Sequence, residues 1–274
     1  MGKCFNRPLF LLLHRKSDRR SPKEPVALPP EMLDKILEYV PTIGSGLQTL
    51  VACASVATWW TGPSQRRLFS SVEIGERNYQ RWMDGVVLSR SKSHLLNYVR
   101  SLGYYPHDRY QMRCLAQDSG EYFPGLCNLR SLTLFNIGVE HIGEENFRTC
   151  FSAFRETLTS LTLDTFAMSF SAFVTLVDYF PNITTLRLRW FNLEPDEGPV
   201  QSLSRPLRGK FHAHLQANFP KFGDEFSKLD LEYEELVIDG PFSSPAETEL
   251  VKSALQISPS TVKFLKLNEE LQRE

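Results

Sequence analysis

One pattern recurs along most of this 274-residue chain. Two apolar residues flank a single other residue, as in the middle of a short strand. The pairs are Val72/Ile74, Leu102/Tyr104, Leu132/Leu134, Leu161/Leu163, Leu186/Leu188, Phe211/Ala213, Leu236/Ile238 and Leu265/Leu267. Their second members are 25 to 30 residues apart. Self-similarity at such a period marks stacked repeats, each of which buries one face only against its neighbours. Phe211/Ala213 is the weakest unit.

Helical patterns lie between the pairs. Tyr79, Trp82, Met83, Val86 and Val87 follow helical spacing, as do Phe147, Phe151, Phe154 and Leu158, and Phe170, Phe173, Val174 and Val177. Phe219, Phe222, Phe226 and Leu229 form another stripe, and Leu250, Val251, Ala254 and Leu255 a further one. A doubly wound sheet also alternates strand and helix, but its buried strands read as near-continuous Val/Ile runs. Here Thr, Arg or Lys often separates the apolar residues. The phrases LCNLRSLTL, LTSLTL and FPNITTLRL resemble leucine-rich repeats of irregular length. The spacing sits at or just above that family's range of roughly 20–29 residues.

The segment before the repeats reads differently. Leu28-Pro29-Pro30 leads into EMLDKILEYV, with Pro30 pre-set for a first helical turn and Glu31 complementing the helix dipole. Pro41 and Gly44 stop this helix. A second helix is expected from near Leu47 to just before Gly62-Pro63, and a short third one over SQRRLF. From residue 28 to residue 74 the segment resembles an F-box. The resemblance rests on Leu28-Pro29-Pro30-Glu31, Ile36-Leu37, Val56 with Trp60 four residues on, and Leu68-Phe69-Ser70-Ser71-Val72. Where the family often has Cys-Arg after the Val, this chain has Ala57-Thr58. An F-box followed by leucine-rich repeats is similar to the F-box/leucine-rich-repeat proteins expanded in fungi.

Residues 1–25 are expected to be a disordered basic tail. The first 23 residues carry a formal charge of +6, against −1 for the whole chain. The tail's apolar run, Leu9 to Leu13, is too short to span a bilayer, which takes ~20 residues. The near-neutral whole argues against a general polyanion binder. Five cysteines without Cys-x-x-Cys spacing point to a reducing compartment, hence cytoplasm and/or nucleus, with Cys53, Cys114 and Cys150 expected as buried thiols. No phosphate-binding loop, nucleophile elbow or His-Glu-x-x-His is present. His212 and His214 would share a strand face, but no third metal ligand accompanies them. The chain is therefore expected not to be an enzyme, and to need no cofactor or metal.

The expected fold is α/β. A short three-helix F-box (residues 26–70) precedes a curved leucine-rich-repeat solenoid of about eight irregular repeats (residues 71–274). Its parallel sheet would be concave, with helices outside. The resemblance implies a substrate-recognition adaptor of a Skp/cullin/F-box ubiquitin ligase, doing no covalent chemistry itself. The Skp-type linker would contact Leu28, Pro29, Ile36 and Leu37, helped by Val56, Trp60 and Leu68, with Ile36 and Leu37 partly exposed. The alternative is a protein-binding repeat scaffold outside ubiquitin ligation, with residues 28–70 capping the solenoid. Strand alternation sends Arg187, Arg189, His212 and His214 to one face, where neighbouring strands are ~4.8 Å apart. With Trp190 nearby, these residues are the expected binding site for an acidic or phosphorylated protein segment, with no acid between them, although Asp164 and Asp239 flank the patch.

Overall fold

The computed structural model describes residues 28–42, 44–89, 91–105, 125–135, 148, 151–164, 167–189, 192–194, 203–205, 207–214, 231–239 and 264–268. The expected tail, Cys114, Cys150, and the helical stripes at 219–229 and 250–255 lie outside the described residues.

Three helices come first: α1 (Pro30–Glu38), α2 (Ser45–Val56) and α3 (Thr58–Leu68). The boundary between α2 and α3 differs from the sequence expectation. The chain breaks at Ala57, which is extended at φ −157° and ψ 155°, while Gly62 and Pro63 lie inside α3. Pro63 supplies no N–H to the helix ladder but keeps a helical φ, so it is carried within the element. The Thr61 hydroxyl donates across the break to the Ala54 carbonyl at 2.9 Å. Leu33, Leu37 and Leu50 are fully buried among the helices. On the outside, one Arg66 guanidinium nitrogen reaches both Asp34 carboxylate oxygens at 2.9 Å. Arg67 donates to the Glu38 carbonyl at 3.1 Å, so α1 is tied to α3.

The repeats follow. Strand β1 (Ser71–Gly75) leads into α4 (Glu76–Trp82), a π turn (Met83–Val87) and a 3-10 helix (Ser93–Tyr98). Then come β2 (Ser101–Tyr105), β3 (Ser131–Phe135), β4 (Ser160–Asp164) and a short β5 (Ala167–Ser169). Helix α5 (Phe170–Tyr179) is followed by β6 (Thr185–Arg189) and β7 (Asn192–Glu194). The last strands are β8 (Leu207–His214), β9 (Leu231–Asp239) and β10 (Phe264–Asn268). Eight of them form one parallel sheet in chain order, β1-β2-β3-β4-β6-β8-β9-β10, while β5 and β7 pair separately.

Register confirms the repeat unit. Leu102 pairs with Leu132, Leu132 with Leu161, Leu161 with Leu186, Leu186 with Phe211, Phe211 with Leu236 and Leu236 with Leu265. Even the weak Phe211/Ala213 pair takes its place. The pair residues from Leu102 to Leu188 are all at least 98% buried. Each repeat is also hooked to the one before. The N–H groups of Arg100 and Ser101 both donate to the Ser70 carbonyl, and those of Arg130 and Ser131 to Arg100. Thr159 and Ser160 donate to Arg130, and Thr184 and Thr185 to Thr159, all within 3.0 Å. Side chains repeat the hook: Asn128 donates to the Asn97 carbonyl at 2.9 Å and Asn182 to the Glu156 carbonyl at 2.7 Å.

The core lies behind the sheet, under the connecting segments. Phe151, Phe154 and Phe180 are fully buried, and their ring centroids are 5.6 to 6.1 Å apart. Phe151 and Phe154 belong to the segment before β4, Phe180 to the one before β6, so this trio joins adjacent repeats. Helix α5 adds Phe170, Phe173, Val174, Leu176 and Val177 from one buried stripe, and Ser169 caps it by accepting from the Ala172 N–H at 3.2 Å. At the free side of β1, the Asn78 side chain accepts from the Gly75 N–H (2.8 Å) and donates to the Glu73 carbonyl (2.6 Å). It thereby fills two edge groups that would otherwise invite another strand. Among the described residues no helix is long and apolar enough to cross a membrane.

Candidate functional site

Strand alternation sends one set of side chains to the core and the other to the opposite, outer face. The core takes the apolar pairs. The outer face therefore takes the residue between each pair and those just before and after it. Successive strands place Thr133, Thr162, Arg187, His212 and Val237 in register along one row. A parallel row holds Phe135, Asp164 and Arg189, and another holds Thr185, Lys210 and Glu235.

The structure brings the expected arginines and His212 together. Arg187 and Arg189 are exposed, and His212, half-buried, is the register partner of Arg187. His214 is placed by its backbone, paired with Asp239, and Trp190 lies outside the described residues. Thr162 and Val237 are buried although they belong to the same row.

The cluster is less basic than expected, because the flanking Asp164 meets Arg189 and a second acid, Glu235, joins it. Asp164 is the register partner of Arg189, and its Oδ2 is 3.9 Å from Arg189 Nη1. Glu235 Oε2 lies 2.5 Å from Lys210 Nζ. The hydrogen bond from Lys210 holds the Glu235 carboxyl below its usual range, aided by the positive fields of Lys210, His212 and Arg187. Two acids thus sit within the basic cluster. Lys210 and Glu235 each stand one residue before the apolar pair of their strand, outside the positions between and after each pair. The period of two extends one residue earlier as well, and that was the available signal.

Lys210 owes its position to a bulge. Between β8 and β9 the register slips at Gly209/Lys210. Gly209 has φ +120°, where a side chain is strained, and a Cβ there would stand 2.2 Å from the Thr184 oxygen. The Lys210 N–H then donates to that same Thr184 oxygen at 2.8 Å.

Farther along the outer face, Tyr105 and Phe135 form a tilted aromatic pair with centroids 5.6 Å apart. Both are half-buried. The Tyr105 ring leans over Gly103, where a Cβ would be 2.8 Å from Tyr105 Cε2. Burial raises the Tyr105 phenol above 10.0, and the Glu73 and Asp164 charges add to the rise.

The helical segment presents a second candidate surface. Met32 and Ile36 are exposed on α1, Tyr39 just after it, and Leu47, Val51 and Val56 on α2. Of the residues expected to meet a linker, Pro29, Ile36 and Val56 are exposed, and Leu28, Trp60 and Leu68 are half-buried. Leu37 is 1% exposed, so its side chain holds α1 to the bundle rather than facing outward. Ile36, at 44%, does face outward. The reason is helical geometry: Leu33 and Leu37, four residues apart, share the inner stripe, while Met32 and Ile36 share the next one round. Cys53 is half-buried and Cys127 exposed, both as free thiols. Among the described residues no three His, Cys, Asp or Glu side chains gather as metal ligands.

No protein-family model matches the chain. No curated protein matches it. Among solved structures the chain is similar to the crystal structure of the leucine-rich repeat-containing protein LegL7 from Legionella pneumophila. The identity is 12%, the match covers 85% of this chain and 78% of that chain, and the TM-score is 0.41. At that score the likeness carries no weight on its own; the architecture rests on strand order, register and spacing. Parallel strands added in chain order, each with an apolar pair stacked on the last, make this an α/β solenoid of the leucine-rich-repeat type.

Proposed function

We propose that the chain is a substrate adaptor, whose helical segment binds the Skp-type linker of a cullin-based ubiquitin ligase and whose repeats hold a protein substrate. The observation that carries this reading is the distribution of exposed apolar side chains. Of the eight large hydrophobic residues exposed among the described residues, seven belong to residues 32–59. Exposed apolar side chains concentrated on one small segment mark a surface that a partner covers. Met32, Ile36 and Tyr39 recur at helical spacing, the pattern of anchors for a helix-in-groove contact. Of the residues that would meet the linker, Pro29, Ile36 and Val56 are exposed, and Leu28, Trp60 and Leu68 are half-buried. The substrate would meet the outer face around Arg187, Arg189, His212 and His214, with Trp190 following β6. The adaptor would act by raising the local concentration of a substrate lysine near the charged conjugating enzyme.

A pull-down with a purified Skp-type linker tests the reading. The wild-type chain should capture the linker, and Ile36→Asp should weaken capture at least about tenfold without lowering the melting temperature. Absence of linker binding by the wild type would leave the second reading. There the helices only cap the solenoid, a role favoured by the contacts of α3 with the 3-10 helix of the first repeat.

A further inference from the structure

The outer face of the sheet has two unlike halves in fixed relation. On β2 and β3 stands the Tyr105–Phe135 pair, half-exposed and apolar. On β6 and β8 stand Arg187, Arg189, Lys210 and His212. Arg189 faces Asp164 and Lys210 is bonded to Glu235. Arg187 makes no hydrogen bond or ion pair with another described residue, and its side chain is exposed.

Resting on the reading of the repeats as a substrate surface, we infer that this face takes an extended protein segment bearing one carboxylate and one large apolar side chain. The carboxylate pairs with Arg187, and the apolar side chain rests on Phe135 and Tyr105. Charge complementarity selects the anion. Of Arg187, Arg189 and Lys210, the last two already face Asp164 and Glu235, which leaves Arg187 as the cation without a paired acid among the described residues. A carboxylate matches that, whereas a phosphate ester carries about −1.5 to −2 and would meet Asp164 and Glu235 as well. Arginine offers a carboxylate two parallel N–H donors. Geometry sets the spacing. Phe135 and Arg187 are two strands apart, roughly 10 Å, and two residues apart along the strand direction, roughly 7 Å. The diagonal is about 12 Å, which an extended chain at ~3.3 Å per residue covers in three to four residues.

A random-peptide display selection on the full chain tests this without any linker protein. Peptides should be enriched with Asp or Glu three or four positions from Phe, Tyr, Trp or Leu. Their synthetic copies should bind Arg187→Glu at least about tenfold more weakly than wild type by fluorescence anisotropy. Phe135→Ser should weaken them too, while a peptide with the acid changed to Asn should lose binding. Circular dichroism melts of both variants confirm that the chain stays folded. Failure to enrich acidic peptides, or equal binding by Arg187→Glu, overturns the inference. So does binding only when phosphoserine replaces the acid. Enrichment of non-acidic peptides that compete for the Phe135 surface also overturns it, yet leaves the repeats a protein-binding surface.

Discussion

The backbone of Gly209 passes so close to the Thr184 carbonyl that any β-carbon would fall 2.2 Å from its oxygen. This contact ties a basic surface to the repeat ladder. The bulge at Gly209/Lys210 lets Lys210 continue the row of amides hooked to the previous repeat, and it aims Lys210 at Glu235. Gly209→Ala should therefore destabilise the chain by at least about 2 kcal/mol, from left-handed strain plus the clash. Chemical denaturation checks this; an unchanged midpoint would mean that the strand shifts freely.

The phenylalanine trio should be the strongest joint between adjacent repeats. Phe180→Ala removes a fully buried ring that packs on both Phe151 and Phe154, and such losses cost about 3–5 kcal/mol. Phe180→Leu, which keeps much of the volume, should cost less than half as much. Equal losses for the two variants would show that the cavity is not what matters.

Asn78 should protect the first edge of the sheet. Asn78→Ala frees the Gly75 N–H and the Glu73 carbonyl to water or to another strand. The expected stability loss is about 1 kcal/mol. Light scattering at rising protein concentration should reveal self-association in Asn78→Ala and not in the wild type.

The Tyr105 phenol gives a pH signature. Its pKa is raised in the folded state, first by burial and then by the charges of Glu73 and Asp164. A raised folded value favours the neutral form on folding. The contribution is thus complete below the ordinary value of 10.0 and is lost as pH rises through the folded value. Melting temperatures of wild type should accordingly fall faster than those of Tyr105→Phe above pH ~10. Parallel curves for the two proteins would contradict the assignment.

The repeats were legible because burial imposes a period of two on each strand and stacking imposes a period on the chain. Both survive in Leu132/Leu134 and even in Phe211/Ala213. Three features were hidden for physical reasons. Gly62-Pro63 is strong punctuation locally, yet the helix break falls at Ala57, a good helix former held extended. Leu37 reads as equivalent to Ile36 until the bundle packs and separates the two stripes. Asp164 was legible as a flank of the basic patch, whereas the Lys210–Glu235 pair depends on the register shift at Gly209/Lys210, which a single strand does not reveal.

Affinity purification from cells, with the proteasome inhibited, tests the central claim most directly when run on three proteins in parallel: wild type, Ile36→Asp, and Arg187→Glu with Arg189→Glu. An adaptor with two independent surfaces predicts that wild type retains both the Skp-type linker and substrate. Ile36→Asp should lose the linker and keep substrate, and the double arginine variant should lose substrate and keep the linker. Retention of the linker by Ile36→Asp, or of every bound protein by the arginine variant, would contradict the account.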